Sequence, residues 1–328
     1  MRYVSFDAPG APSVLYVAQM PSPIAQSDEV LIEVEASGVC RADTMQRAGN
    51  YPPPKGASPI LGLEVSGSIV NVGSDVSGFE IGDRVVALCN GGGYAQYVAV
   101  PASQVLPLPK EWSFIEGASL PENMFTVYDN LIVRARMRAG EVVLIHGGTS
   151  GIGTTAIMLA LAFHARPIVT AGSAEKCLAA LDLGAEAAIN YRSEDFVERV
   201  LTLTARRGVD VVLDIVGGDY IDRDLRALAT DGRIAVIAHA GGSQSSIDVR
   251  YLLQRRATIC GSTLRPRTVA EKAVIAEGLR DRVWPLLPSR DPIRPVIDSV
   301  LPFSQASAAH ERLEGSGHIG KIVLVPDP

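Results

Sequence analysis

The first ~120 residues alternate apolar and polar positions over short stretches broken by turns. EVLIEVEA (29–36) is the clearest case, with every second side chain apolar, as a half-buried strand requires. EVSGSIVNVG (64–73), RVVAL (84–88) and YAQYVAVP (94–101) continue the pattern, with Gly73, Gly78 and Gly82 where the chain turns. From about residue 122 the period changes. Buried-strand runs EVVLIH (141–146), RPIVTAG (166–172), AAINY (187–191), VDVVLDIVG (209–217), GRIAVIAHA (232–240) and ATICGST (257–263) alternate with helical ones. The helices are TTAIMLALAFH (154–164), AEKCLAALDLGA (174–185), SEDFVERVLTLTA (193–205), with Ser193 as N-cap, and DYIDRDLRALA (219–229). Strands alternating with helices at this spacing predict a doubly wound parallel sheet. The tail predicts a helix (269–284), a proline-rich loop (285–295) and a closing strand, KIVLV (321–325), that returns the chain to its first domain.

A strand running into LIHGGTSGIGTTAI (144–157) and then a helix is a phosphate loop. Glycines let backbone approach a pyrophosphate, and the helix N-terminus offers oriented N–H donors. The G-x-x-x-G-x-G spacing also suits short-chain dehydrogenases, which need Y-x-x-x-K on a helix. The one match here, YPPPK (51–55), holds three prolines and cannot be helical, so that reading fails. The second strand ends VTAGSAEK (169–176), without the ribose-binding acid of an NAD site at its tip. Ser173 and Lys176 suit a 2′-phosphate and favour NADP over NAD. Taken alone, Lys176 reads equally well as a solvated helical lysine.

Composition narrows the alternatives. With 30 basic against 36 acidic residues the net charge is −6, which argues against nucleic acid as a partner. No apolar run reaches membrane-spanning length before a glycine, histidine or charge interrupts it. The four cysteines, 40, 89, 177 and 260, form no C-x-x-C, which fits a reducing, cytoplasmic setting. His239, just past a parallel strand, is a candidate at the ligand edge.

Several stretches, in order, carry a family resemblance. They include SGVCRADTMQRAGNYPPPKGAS (37–58), ILGLEVSG (60–67), GFEIGDRV (78–85), LPENMFTVYDNL (120–131), the phosphate loop, GSTLRPR (261–267) and HIGKIVL (318–324). Together they resemble the zinc-independent quinone oxidoreductase branch of the medium-chain dehydrogenase/reductase superfamily. The p-fifty-three-inducible type is nearer than zeta-crystallin. The resemblance implies a GroES-like substrate domain (1–120, completed by 264–328) and a Rossmann NADPH domain (121–263). It places Ser150, Gly151, Ile152 and Gly153 at the pyrophosphate, and Gly172, Ser173, Lys176 and Tyr191 around the 2′-phosphate. Thr126 falls at the nicotinamide end, and Ser262, Thr263 and Leu264 at its ribose. It also implies a homodimer or tetramer through 257–262.

Cys40 stands at the position of the first catalytic zinc ligand of the zinc-dependent branch. Leu63 replaces the histidine of that branch's ligand set, and no cysteine lies around PENMF (121–125), so no metal is expected. The quinone branch usually has asparagine at position 40, near the nicotinamide and substrate, so the resemblance makes Cys40 a candidate catalytic residue; a thiol is a weaker donor, and a small buried space-filler is the simpler reading. Tyr51 is the candidate hydrogen-bond donor to an acceptor oxygen. The expected activity is hydride (or electron) transfer from NADPH to a quinone. Reduction of an activated C=C bond in an enone or enoyl thioester is the second reading, and non-catalytic NADPH or RNA binding the third.

Overall fold

A computed structural model describes residues 1–327. The chain forms two units. One comprises residues 1–125, 265–288 and 295–328; the other comprises 126–264 and 289–294.

The first unit is built on Glu29–Gly38, whose alternation is realised as a strand with Val30, Ile32, Val34 and Ala36 fully inside. It pairs antiparallel with Glu64–Val72, Tyr97–Pro101 and Lys321–Val325. Arg84–Leu88 and Val105–Pro107 extend the sheet on one side, and Ile297–Pro302 runs parallel to the last strand on the other. The segment expected to begin a strand at residue 94 does so only at Tyr97; Tyr94 turns inward and is fully buried. A short helix, Arg41–Arg47, follows the long strand and carries four buried polar side chains, Asp43, Thr44, Gln46 and Arg47. The tail adds a helix, Ala306–Glu314, before the closing strand.

The second unit is a six-stranded parallel sheet of Val142–His146, Arg166–Ala171, Ala187–Asn190, Val209–Asp214, Leu228–Val236 and Thr258–Gly261. Numbered in that order the strands lie 3-2-1-4-5-6, the dinucleotide-binding arrangement whose ligand edge is at the strand carboxyl ends. Val142, Leu144, Ile168, Ile189, Val212 and Ile234 pack with Phe196, Val200 and Leu225 from the covering helices. Two local expectations are corrected. Ser193 does not cap its helix: Asp195 does, its carboxylate accepting Val197 N–H at 2.8 Å, and the helix runs Phe196–Leu203. The strand expected over 232–240 runs Leu228–Val236, which leaves His239 exposed beyond it.

Candidate active site

In the parallel unit, the strand Val142–His146 ends on a fully buried histidine. His146 Nε2 lies 2.8 Å from Asp224 Oδ1 and Nδ1 lies 3.0 Å from Thr170 Oγ1. Burial pushes the Asp224 carboxyl up to about 6, with His146 opposing. The helix Gly151–Ala162 starts at residue 151, three residues earlier than its apolar run suggests, because Ser150 caps it; Ser150 Oγ accepts Gly153 N–H at 3.0 Å. A Cβ on Gly153 would stand 2.2 Å from Gly147 O, so only glycine closes this turn.

The next strand leads to Gly172 and Ser173. Ser173 caps the helix Ala174–Asp182, and its hydroxyl accepts Lys176 N–H at 3.2 Å. Tyr191, just past the third strand, closes over this turn: a Cβ on Gly172 would be 2.8 Å from its hydroxyl. So Gly172, Ser173, Lys176 and Tyr191 share one neighbourhood at the strand carboxyl ends. Thr126 and Ser262 are also joined, through a residue that sequence reasoning missed. Asn130 Nδ2 donates to Thr126 O at 2.8 Å, and Ser262 Oγ donates to Asn130 Oδ1 at 2.9 Å. Asn130 lies in a π-type turn, Tyr128–Arg134, a deviation often found at functional sites. Thr263 is exposed and Leu264 half-buried just beyond Ser262. His239 is solvent-exposed, and its carbonyl accepts Gly242 N–H at 3.0 Å. These residues fit a dinucleotide: a glycine cradle too tight for a Cβ, a capped helix N-terminus, and a polar turn at the second strand.

In the antiparallel unit, Cys40 is buried at the start of the helix Arg41–Arg47. Its thiol lies 3.4 Å from Glu64 Oε1 and 3.4 Å from Lys321 Nζ. Lys321 Nζ is itself 2.5 Å from Glu64 Oε1 and donates to Val39 O at 3.1 Å. Burial works against the ammonium, but the Glu64 carboxylate beside it holds its pKa above the ordinary lysine value. Burial, reinforced by Glu64, pushes the thiol well up, so it stays protonated at neutral pH. A divalent cation does not fit here, because an ammonium already contacts both candidate donors. Among the described residues no three His, Cys, Asp or Glu side chains converge as metal ligands.

Tyr51 follows the same helix and is half-buried. The guanidinium carbon of Arg265 lies 5.5 Å from its ring centre. Burial raises the phenol pKa while Arg265 opposes, so Tyr51 is a protonated donor at neutral pH. Arg265 Nη2 donates to Asn90 O at 2.9 Å, and Lys272 Nζ donates to both Asn90 Oδ1 and Arg265 O. Arg265, Asn90 and Lys272 were not legible as site residues; nothing in their spacing joins them.

Comparisons with known proteins agree with this architecture. Residues 26–110 match the family described as alcohol dehydrogenase GroES-like domain, and residues 151–277 match that described as zinc-binding dehydrogenase. The chain is 32% identical to the quinone oxidoreductase of Rattus norvegicus over 99% of its own length and 98% of that protein's. The solved Escherichia coli quinone oxidoreductase complexed with NADPH superposes with a TM-score of 0.86, at 30% identity, over 99% of this chain and 100% of that one. The CurK enoyl reductase superposes with a TM-score of 0.85, at 26% identity, over 99% of both. With the 3-2-1-4-5-6 sheet, the antiparallel partner unit and full-length similarity to quinone oxidoreductases, the chain belongs to the quinone oxidoreductase branch of the medium-chain dehydrogenase/reductase superfamily.

Proposed function

We infer that the protein is an NADPH-dependent quinone oxidoreductase that works without zinc. The observation that carries this reading is the Cys40–Glu64–Lys321 cluster. An ammonium neutralises the carboxylate, so the acceptor side offers hydrogen-bond donors and no Lewis acid. A quinone needs none, because its carbonyls are already electron-poor. Bound NADPH supplies the hydride.

The chain's own groups bind, orient and neutralise. Backbone N–H groups at Gly151 and Ile152, with the Ser150-capped helix, take the pyrophosphate, and Gly153 keeps the turn tight enough for them to do so. Ser173, Lys176 and Tyr191 receive the 2′-phosphate beside Gly172. Asn130 fixes Thr126 and Ser262, with Thr263 and Leu264 beyond, for the nicotinamide end. Tyr51 donates a hydrogen bond to the acceptor oxygen and polarises it; with its pKa above the ordinary tyrosine value, it holds its proton rather than giving it up. His239 lies exposed just past the carboxyl end of Leu228–Val236, on the edge proposed to receive the cofactor. Cys40 packs the cluster rather than touching the acceptor.

Two copies are proposed to pair through Thr258–Gly261. Among the described residues that strand is bonded on one side only, to Leu228–Val236, and its Ile259 is exposed, as is Leu253 of the preceding helix Val249–Arg255. Reduction of activated C=C bonds is the second reading, favoured by the likeness to an enoyl reductase.

Anaerobic NADPH oxidation separates the two readings. It should be followed with an ortho-quinone and with a simple enone, with and without a chelator, and with NADH as alternative donor. Chelator-insensitive quinone turnover with NADPH is expected. Turnover of the enone alone would give the second reading precedence.

A further inference from the structure

Arg265 and Lys272 are two cations buried side by side in the antiparallel unit, at 5% and 1% exposure. Neither makes an ion pair among the described residues. Arg265 spends Nε and Nη2 on one carbonyl, Asn90 O, at 3.3 and 2.9 Å. Lys272 is held by neutral oxygens, Asn90 Oδ1 and Arg265 O. The acid that acts on Arg265 is Asp43, and both its oxygens are taken: Oδ1 by Gly62 N–H, Oδ2 by Cys40 N–H and the Tyr94 hydroxyl. Arg265 Nη1 is left buried with no hydrogen-bond partner.

An unpaired guanidinium nitrogen inside a protein is costly, and two adjacent buried cations add to the cost. A guanidinium is also the side chain best shaped to grip a planar oxyanion. Arg265 is pinned by backbone and stacked on Tyr51, the residue assigned to the acceptor. Tyr51 is half-exposed in a bend, so the residue beside Arg265 borders solvent.

We propose that Arg265 Nη1 anchors an anionic group of the acceptor, making the enzyme selective for quinones that carry a carboxylate or sulfonate over uncharged ones. This rests on the quinone-reductase reading above. The remaining positive charge of Lys272 supports the same preference without touching the ligand.

The test compares kcat/KM for 1,2-naphthoquinone-4-sulfonate and 1,2-naphthoquinone in the wild type and in Arg265→Gln. The wild type is expected to favour the sulfonate, and the ratio of the two constants to fall about 10- to 100-fold in the variant, with the Kd for NADPH unchanged. An unchanged ratio overturns the proposal, as does a tenfold weaker NADPH with the ratio intact, which would assign Arg265 to the cofactor. A second measurement needs no variant: calorimetric titration of the NADPH-loaded wild type with benzoate and with benzamide. Benzoate binding without benzamide binding supports the anion subsite; equal binding or none overturns it. If neither quinone is turned over, the quinone reading fails by itself, and the benzoate titration still decides the subsite.

Discussion

Lys321 holds Glu64 at 2.5 Å inside the antiparallel unit, where both side chains are almost wholly shielded from water. Lys321→Met removes the only cation in contact with that carboxylate among the described residues. A buried carboxylate left unpaired costs about 3–5 kcal/mol, to be read from urea unfolding at pH 7. Adding Glu64→Gln to the same chain should recover a large part of the loss. A single-variant loss below ~1 kcal/mol would show the pair to be energetically idle.

Gly153→Ala places a methyl carbon 2.2 Å from Gly147 O, so the turn must open to admit it. Displacing the loop by about an ångström should weaken NADPH about 100-fold or more. Fluorescence titration of NADPH measures this, with circular dichroism to show that the sheet is intact.

Lys176→Ala tests which nucleotide the second strand is built for. NADPH affinity should fall about 10- to 100-fold through loss of a charge-assisted contact, while NADH affinity stays level. Equal losses for both would place Lys176 away from the 2′-phosphate.

His310 couples stability to pH. Its Nε2 lies 3.2 Å from the Tyr94 hydroxyl and its Nδ1 3.5 Å from Arg47 Nη1; burial, then Arg47, depresses its pKa from 6.5 to about 3. The folded state therefore refuses a proton that the unfolded state accepts. The contribution is fully present above pH 6.5 and is lost progressively as pH falls toward 3. Between pH 7 and pH 5 it should amount to about 2 kcal/mol. Asp43 and Asp224, both raised to about 6, act in the opposite direction, since protonation favours their folded forms. The test is therefore the difference between wild type and His310→Gln in unfolding free energy at pH 7 and at pH 5. That difference should shrink at the lower pH; a constant one would mean that His310 does not titrate on unfolding.

What the chain discloses before folding follows from range. Alternation within 29–36 and the strand–glycine–helix run at 141–164 are local signals, and both elements form, as Glu29–Gly38 and as Val142–His146 followed by Gly151–Ala162. The helix Arg41–Arg47 escaped because its inward face is polar: Asp43 bonds backbone at Gly62, and Arg47 reaches Glu314 at 2.6 Å. The strand Ile297–Pro302 escaped because it is short and only partly buried, and its partner strand is the last of the chain. The Ser193 cap was misplaced by two residues since Asp195 competes for the same role. In the site, the glycine loop and the Gly172–Tyr191 turn were legible. The Asn90–Arg265–Lys272 cluster was not, because its members stand 175 and 182 residues apart and meet only through tertiary packing.

Lys321 and Cys40 are 281 residues apart in sequence, yet they are in contact. During synthesis Glu64 leaves the ribosome long before its counter-charge exists. Until the strand Lys321–Val325 is added, the half-made sheet must keep that carboxylate wet, and the interior beside Cys40 cannot dry. Drying of this interior is thus postponed until the chain has been made through the strand Lys321–Val325, however early the rest of the sheet is available.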